Sequence, residues 1–281
     1  MYYTIIQYKI YFLNKNNSLW GNAVLKLDQI NLLIKKVQEA GDIAISLQKQ
    51  GLKVENKPDG SLVTNADKAL DKFLTKTIRE DLKNNDLIIS EEDVAEGNSP
   101  TVTVGQSFWS IDPIDSTKSF INNNPFYCIT IAYIENQEPT FGIIYAPATK
   151  ELWYGAKDLG AFKIVGNELQ KKITTRKIPS SGAVLMSSEE QITRADIIEK
   201  LNIVEELKIP SAIKFCYIAE GRADYYVRKR NKACDWDISA GHAIILSAGG
   251  VLNFVSPDEN FQYGIPPYLA PCLMAKGDKS K

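Results

Sequence analysis

Asp112-Pro113-Ile114-Asp115 sets two carboxylates around a proline, directly after the apolar-aromatic stretch 108–111. That stretch reads as a strand, so both carboxylates are expected where a strand ends. Proline holds Asp112 extended and fixes its own φ, which stiffens the turn. Carboxylates this close repel each other, and a hard divalent cation relieves the repulsion. Residues 117–120 can open a short helix whose unpaired N–H groups suit a phosphate oxygen. A metal pair beside such a turn points to phosphate ester chemistry. As an isolated tetrapeptide, however, a surface Asp-Pro turn is the more ordinary reading, so the rest of the chain has to decide.

The 281 residues suffice for one large domain or two modest ones sharing a cleft. A net charge of −1 provides no global field toward nucleic acid or a membrane. Cys128, Cys216, Cys234 and Cys272 lack CxxC spacing, which removes zinc-ribbon and redox-pair readings and fits a reducing cytoplasm. A single histidine, His242, excludes a His-rich metal centre and speaks against a Ser-His-Asp triad. It lies in the apolar run 238–248 and reads as a packing residue. Residues 1–12 are aromatic and aliphatic but broken by Gln7 and Lys9, without a signal-peptide pattern. No stretch approaches the roughly 18–20 apolar residues of a membrane span. Residues 1–25 are read as an extension. Removing residues 1–24 is expected to leave activity and melting temperature unchanged, and a loss of either would reject that reading.

Ile30, Leu33, Ile34, Val37, Ala40, Ala44 and Leu47 recur at helical steps before Gly51. Lys57-Pro58-Asp59-Gly60 breaks the chain, and a second helix starts near Asp67. Residues 87–89 form a short strand leading to Ser90-Glu91-Glu92. Segments 127–134, 140–145, 151–154 and 161–165 read as an antiparallel meander. From about residue 180, strands at 183–186, 223–227 and 251–254 alternate with helices at 191–201, 212–220 and 237–248. The organisation is an α+β half over residues 26–165 and an α/β half over 166–281.

Glu91, Asp112, Asp115 and Asp237 all fall at element ends, with Asp67 at a helix start. Each alone could be a cap or turn residue. Together they offer the oxygen ligands that Mg²⁺ prefers.

The order of these segments resembles the inositol monophosphatase family of Mg²⁺-dependent phosphatases over nearly all of residues 27–280. Two stretches carry the resemblance: Trp109-Ser110-Ile111-Asp112-Pro113-Ile114-Asp115-Ser116-Thr117, and Trp236-Asp237-Ile238-Ser239-Ala240-Gly241 running on to Gly249-Gly250. Lys214-Phe215-Cys216 and Ala219-Glu220-Gly221-Arg222-Ala223-Asp224 look most like the family's bacterial 3′(2′),5′-bisphosphate nucleotidases. The resemblance implies a layered αβαβα sandwich of the α/β (α+β) class and hydrolysis of 3′-phosphoadenosine 5′-phosphate to AMP. It implies two or three Mg²⁺ ions per site. Glu91, Asp112 and the Ile114 carbonyl would hold the first ion; Asp112, Asp115 and Asp237 the second. Thr117, Asp67 and Glu91 would be the catalytic group, with Thr117 orienting the attacking water. The N–H groups of Ser116 and Thr117 would take the phosphate, with Lys214, Arg228 and Asp237 on the rest of the substrate. It further implies a small phosphate ester as ligand, no nucleic-acid polymer, a homodimer, and a cytoplasmic location or one on the cytoplasmic face of the inner membrane.

Two departures stand out. Ser116 replaces the usual glycine, so its side chain is expected to crowd the phosphate or to strain the turn. Ser187-Ser188-Glu189-Glu190 stands where these nucleotidases carry a basic or histidine-containing patch. Of Lys214, Arg228, Lys229 and Arg230, the last three alternate across a strand end and cannot all face one cleft. Two rivals remain open: an inositol or sugar monophosphatase, and a catalytically silent metal- or nucleotide-binding family member. Retention of every carboxylate speaks against the second.

Overall fold

The computed structural model describes residues 25–188, 195–228, 233–254 and 261–277. Residues 1–24, Glu189, Glu190, Lys229 and Arg230 lie outside them. Helix α1 (Leu27–Gln50) buries Ile30, Leu33, Val37, Ala40 and Ala44 along one stripe, and Gly51 ends it at φ +100°. Lys57-Pro58-Asp59-Gly60 does more than break the chain. It turns a hairpin between β1 (Val54–Asn56) and β2 (Leu62–Thr64), closed by the Lys57 N–H donating to the Ser61 carbonyl at 2.8 Å. Helix α2 (Asn65–Lys76) is capped by the Thr64 hydroxyl, which accepts from the N–H groups of Ala66 and Asp67.

The first sheet runs β3 (Leu87–Ser90), β4 (Phe108–Asp115), β5 (Cys128–Glu135), β6 (Glu138–Ala146), β7 (Glu151–Ala156), β8 (Gly160–Val165) and β9 (Lys171–Ile173), in that spatial order. β3 pairs with β4 in parallel and the rest is the antiparallel meander expected from the sequence. Short helices α3 (Glu91–Ala95) and α4 (Thr117–Ile121) follow β3 and β4 directly.

The second half supplies β10 (Ala183–Ser187), α5 (Ala195–Lys200), β11 (Ile203–Lys208), α6 (Ile213–Ala219), β12 (Tyr225–Arg228), α7 (Asp235–Ser247), β13 (Val251–Phe254) and β14 (Leu273–Lys276). Its five strands lie in the order β11-β10-β12-β14-β13. The two edge-of-pattern strands β11 and β14 escape the sequence reading. β11 is half-exposed and carries Glu205-Glu206 at its centre, which hides any apolar alternation.

Helices α1 and α2 cover one face of the large sheet in a single apolar cluster. Helices α6 and α7 fill the space between the two sheets, and α5 packs on β11. The order of layers is the αβαβα sandwich that the resemblance implied. Helix α7 is apolar on nearly every side, as a helix between two sheets must be. Gly142 of β6 lets it come close, because a Cβ there would stand 2.3 Å from the Ala240 carbonyl oxygen. The Thr130 hydroxyl of β5 donates to the Trp236 carbonyl at 3.0 Å and fixes the start of α7 beside β4. His242 on α7 is a packing residue. Its Nδ1 lies 2.9 Å from the Tyr263 hydroxyl, and burial lowers its pKa to about 4. No described helix is long and apolar enough to cross a membrane.

Candidate active site

β4 does not stop at Ile111. It continues to Asp115 through a bulge, where Asp112 faces Thr130 but Asp115 faces Cys128. Three steps on one strand answer two on the other, which turns the chain and re-aims its side chains. Pro113 sits inside the bulge, so its missing N–H breaks no regular rung. The Ile114 N–H donates to Asp112 Oδ1 at 3.0 Å and fixes that carboxylate.

One carboxylate oxygen each of Glu91, Asp112 and Asp237 lies within 4.8 Å of the others. They come from α3, β4 and α7, far apart in the chain. Glu91 opens α3, which the Ser90 hydroxyl caps by accepting the Asp93 N–H at 3.1 Å. Asp237 is both cap and site residue. Its Oδ2 accepts the Cys234 N–H at 2.7 Å, leaving its other oxygen for the cluster. Asp115 stands outside this trio, with Oδ2 accepting the Ala212 N–H and lying 3.6 Å from Cys128 Sγ.

Burial pushes the Asp112 carboxyl well above the ordinary carboxylate range, and the charges of Glu91, Asp115 and Asp237 push it further. Asp237 is raised to about 7 by burial and then by Asp115 and Glu91. Asp115 is raised by burial too, with Lys214 working against the rise. Burial and mutual repulsion therefore both work against ionising these carboxylates together. Hard oxygen donors crowded in this way are the chemistry a small divalent cation such as Mg²⁺ satisfies.

Lys57 escaped the sequence reading. The hairpin carries its buried ammonium to 2.6 Å from Glu91 Oε1 and 2.8 Å from Glu92 Oε1. Burial works against its charge, but the two glutamates outweigh burial and raise its pKa. Glu92, also unforeseen as a site residue, is pushed up to about 7 by burial despite Lys57. Only the charge of Lys57 beside a turn hinted at this role, and lysine at a turn is usually solvated.

Thr117 and Asp67 meet as expected, with Thr117 Oγ1 3.1 Å from Asp67 Oδ1 and 3.2 Å from the Ile114 carbonyl. Asp67 is locked from the other side by the Thr64 N–H at 2.7 Å and hydroxyl at 2.5 Å. Ser116, at φ +74° and ψ +57°, is left-handed, the conformation glycine adopts at no steric cost. Its hydroxyl bonds that of Ser119 at 2.9 Å. A left-handed non-glycine residue costs about 1–2 kcal/mol. Ser116→Gly is therefore expected to stay within about 1 kcal/mol of the wild type, one lost hydrogen bond offsetting the relief. Ser116→Val, β-branched, is expected to lose more than Ser116→Gly and to slow turnover. Chemical denaturation and steady-state assays of both variants check this.

Lys214 and Arg228 border a cavity of about 190 Å³ together with Asp115, Ser211 and Asp237. The buried Lys214 ammonium donates to the carbonyls of Pro210 at 3.0 Å and Ser211 at 2.6 Å. Two of its three protons are thus committed, which holds it rigid, and the ammonium also lies 5.2 Å from the centre of the Tyr226 ring.

Crowded carboxylates on a strand bulge and two helix starts, with fixed cations beside them, form the kind of centre around which metal-dependent phosphatases are built. Residues 27–271 match the inositol monophosphatase family, and the chain belongs to this family of phosphatases. It is 31% identical over 244 residues to the 3′(2′),5′-bisphosphate nucleotidase CysQ of Buchnera aphidicola, covering 86% of this chain and 88% of that protein. Inositol monophosphatase 1 of Rattus norvegicus is 29% identical over 239 residues, with 76% and 83% covered. Among solved structures, CysQ of Bacteroides thetaiotaomicron superposes with a TM-score of 0.70 at 26% identity, covering 90% of this chain and 98% of that one.

Proposed function

We propose that the chain is a Mg²⁺-dependent 3′(2′),5′-bisphosphate nucleotidase, hydrolysing 3′-phosphoadenosine 5′-phosphate to AMP and phosphate. The observation that carries this reading is the cavity joining Asp115 and Asp237 to Lys214 and Arg228. A substrate with one reacting phosphate and one spectator phosphate needs carboxylates for a metal and cations for the second anion, side by side. The similarity to CysQ proteins supports the same substrate class.

Glu91, Asp112, Asp115, Asp237 and the Ile114 carbonyl would hold the two or three Mg²⁺ ions. Bound there, Mg²⁺ activates a water and neutralises charge on the phosphoryl oxygens. Thr117 has a single hydroxyl proton. Donating it to Asp67 leaves its oxygen lone pairs to accept from, and so aim, the attacking water. Asp67 is fixed by Thr64 and cannot turn away. The N–H groups of Ser116 and Thr117, at the start of α4, have no helical carbonyl before them and would face the phosphate. Cys128, Cys216, Cys234 and Cys272 are not paired with one another in disulfides, which supports a cytoplasmic setting. A homodimer is part of the proposal, and light scattering in solution tests it.

The relation to inositol monophosphatase 1 keeps inositol or sugar monophosphates as the second reading. Assays of 3′-phosphoadenosine 5′-phosphate and inositol 1-phosphate, side by side with Mg²⁺, decide between them. In Lys214→Ala/Arg228→Ala, the KM of the bisphosphate is expected to rise about 100-fold, since a charged hydrogen bond contributes about 1.5–3 kcal/mol. Inositol 1-phosphate should respond by less than about threefold, having no second anion to lose. An equal response of both substrates would remove the second-phosphate role.

A further inference from the structure

A second cavity, of about 300 Å³, lies beyond the first and shares Pro210 and Arg228 with it. Its other walls are Ser116, Lys118, Ser119, Asn122, Asn124 and Ser188. The two cavities differ in chemistry. The first is bordered by Asp115 and Asp237, whereas no carboxylate among the described residues lines the second. Hydroxyls, two side-chain amides, a proline ring, the Arg228 guanidinium and the Lys118 ammonium make a wall with flat faces and both donors and acceptors. Its size is at the lower end of cavities that hold a small organic ligand.

From these observations we infer that the second cavity receives the heteroaromatic base of the nucleotide, with Asn122 and Asn124 reading its edge. This rests on the nucleotidase reading. With the reacting phosphate at the carboxylates and the spectator phosphate at Lys214 and Arg228, the base is the part still unplaced. The cavity across Arg228 is the adjoining space for it. Bases are recognised by stacking on aromatic or guanidinium planes and by hydrogen bonds at their edges, and asparagine amides pair readily with adenine. Asn124 is held for this task, because its Oδ1 accepts the Phe126 N–H at 3.0 Å and its amide N–H₂ is thereby turned the other way. Asn122, at the end of α4, is exposed and adjustable. Ser116 stands on the boundary between the reacting phosphate and this cavity, so the serine found in place of glycine borders both.

The test is calorimetric titration of the full-length, Mg²⁺-loaded protein with AMP and with ribose 5-phosphate, which lacks only the base. Wild type is expected to bind AMP at least tenfold tighter. Asn122→Ala/Asn124→Ser, in which serine retains an oxygen for the Phe126 N–H, should bring the two ligands within about threefold by weakening AMP alone. An unchanged melting temperature and unchanged ribose 5-phosphate affinity separate this from a general loss of structure. Equal affinities in wild type, or an AMP preference that survives the double substitution, would overturn the inference. Turnover of 3′-phosphoadenosine 5′-phosphate is measured on the same wild-type sample. If it is absent, the nucleotidase reading falls, while the affinity ratio still judges the base pocket.

Discussion

Asp112→Asn is expected to lose at least about three decades of Mg²⁺-dependent kcat while melting no lower than the wild type. The first effect follows from position. Asp112 is the fully buried member of the trio, and it feels the charges of Glu91, Asp115 and Asp237 together. An amide keeps the shape and can still accept the Ile114 N–H, but it cannot supply the charge a divalent cation needs. Several kcal/mol of transition-state stabilisation depend on such an ion, at about 1.4 kcal/mol per decade of rate. The second effect follows from the same repulsion. Without metal, the carboxylate costs free energy in the fold, and the neutral amide removes that cost. Asp237→Asn should behave alike in activity, although it also changes the cap on the Cys234 N–H. Wild-type kcat in either variant would contradict the assignment of these carboxylates.

The stabilisation conferred by Mg²⁺ is expected to grow as pH rises from about 5 to 8. Asp237 is raised to about 7 in the folded protein, and Asp112 lies well above its ordinary value. In the unfolded chain such groups titrate near 3.9. Between the two values the folded state binds more protons than the unfolded state, so the metal-free protein loses stability as pH rises. Below about pH 4 this contribution is fully present, and it is gone once pH passes the folded values. A cation that binds only the ionised, folded cluster offsets that loss, and more so at higher pH. Melting curves at pH 5.5, 7 and 8, with Mg²⁺ and with a chelator, measure the effect. A gain from Mg²⁺ that is flat, or that shrinks with pH, would show that the cluster does not titrate as described.

The main elements and the carboxylates at their ends were readable from the sequence because they rest on local rules, whereas the αβαβα layering came from the resemblance to the family. Apolar steps mark α1, alternation marks the meander, and carboxylates at element ends mark Glu91, Asp112 and Asp237. What escaped depends on contacts made across the chain. Lys57 becomes a site residue only because a hairpin, itself hidden behind Lys57-Pro58-Asp59-Gly60, folds it onto Glu91 and Glu92. Proline normally stops a strand, so the sequence alone ends β4 at Ile111, yet a bulge lets it run on to Asp115. Ser116 stands in the sequence as a departure from the family's usual glycine, but only the backbone shows that it is left-handed. At Lys214 the structure shows a role that the sequence does not announce: its ammonium braces the carbonyls of Pro210 and Ser211.

Anomalous scattering from a crystal soaked in Mn²⁺, as a stand-in for Mg²⁺, tests the metal centre most directly. The account predicts peaks within bonding distance of the carboxylates of Glu91, Asp112 and Asp237, and their absence in Asp112→Asn. Full Mn²⁺-supported phosphate release with no peak at these three side chains would contradict it.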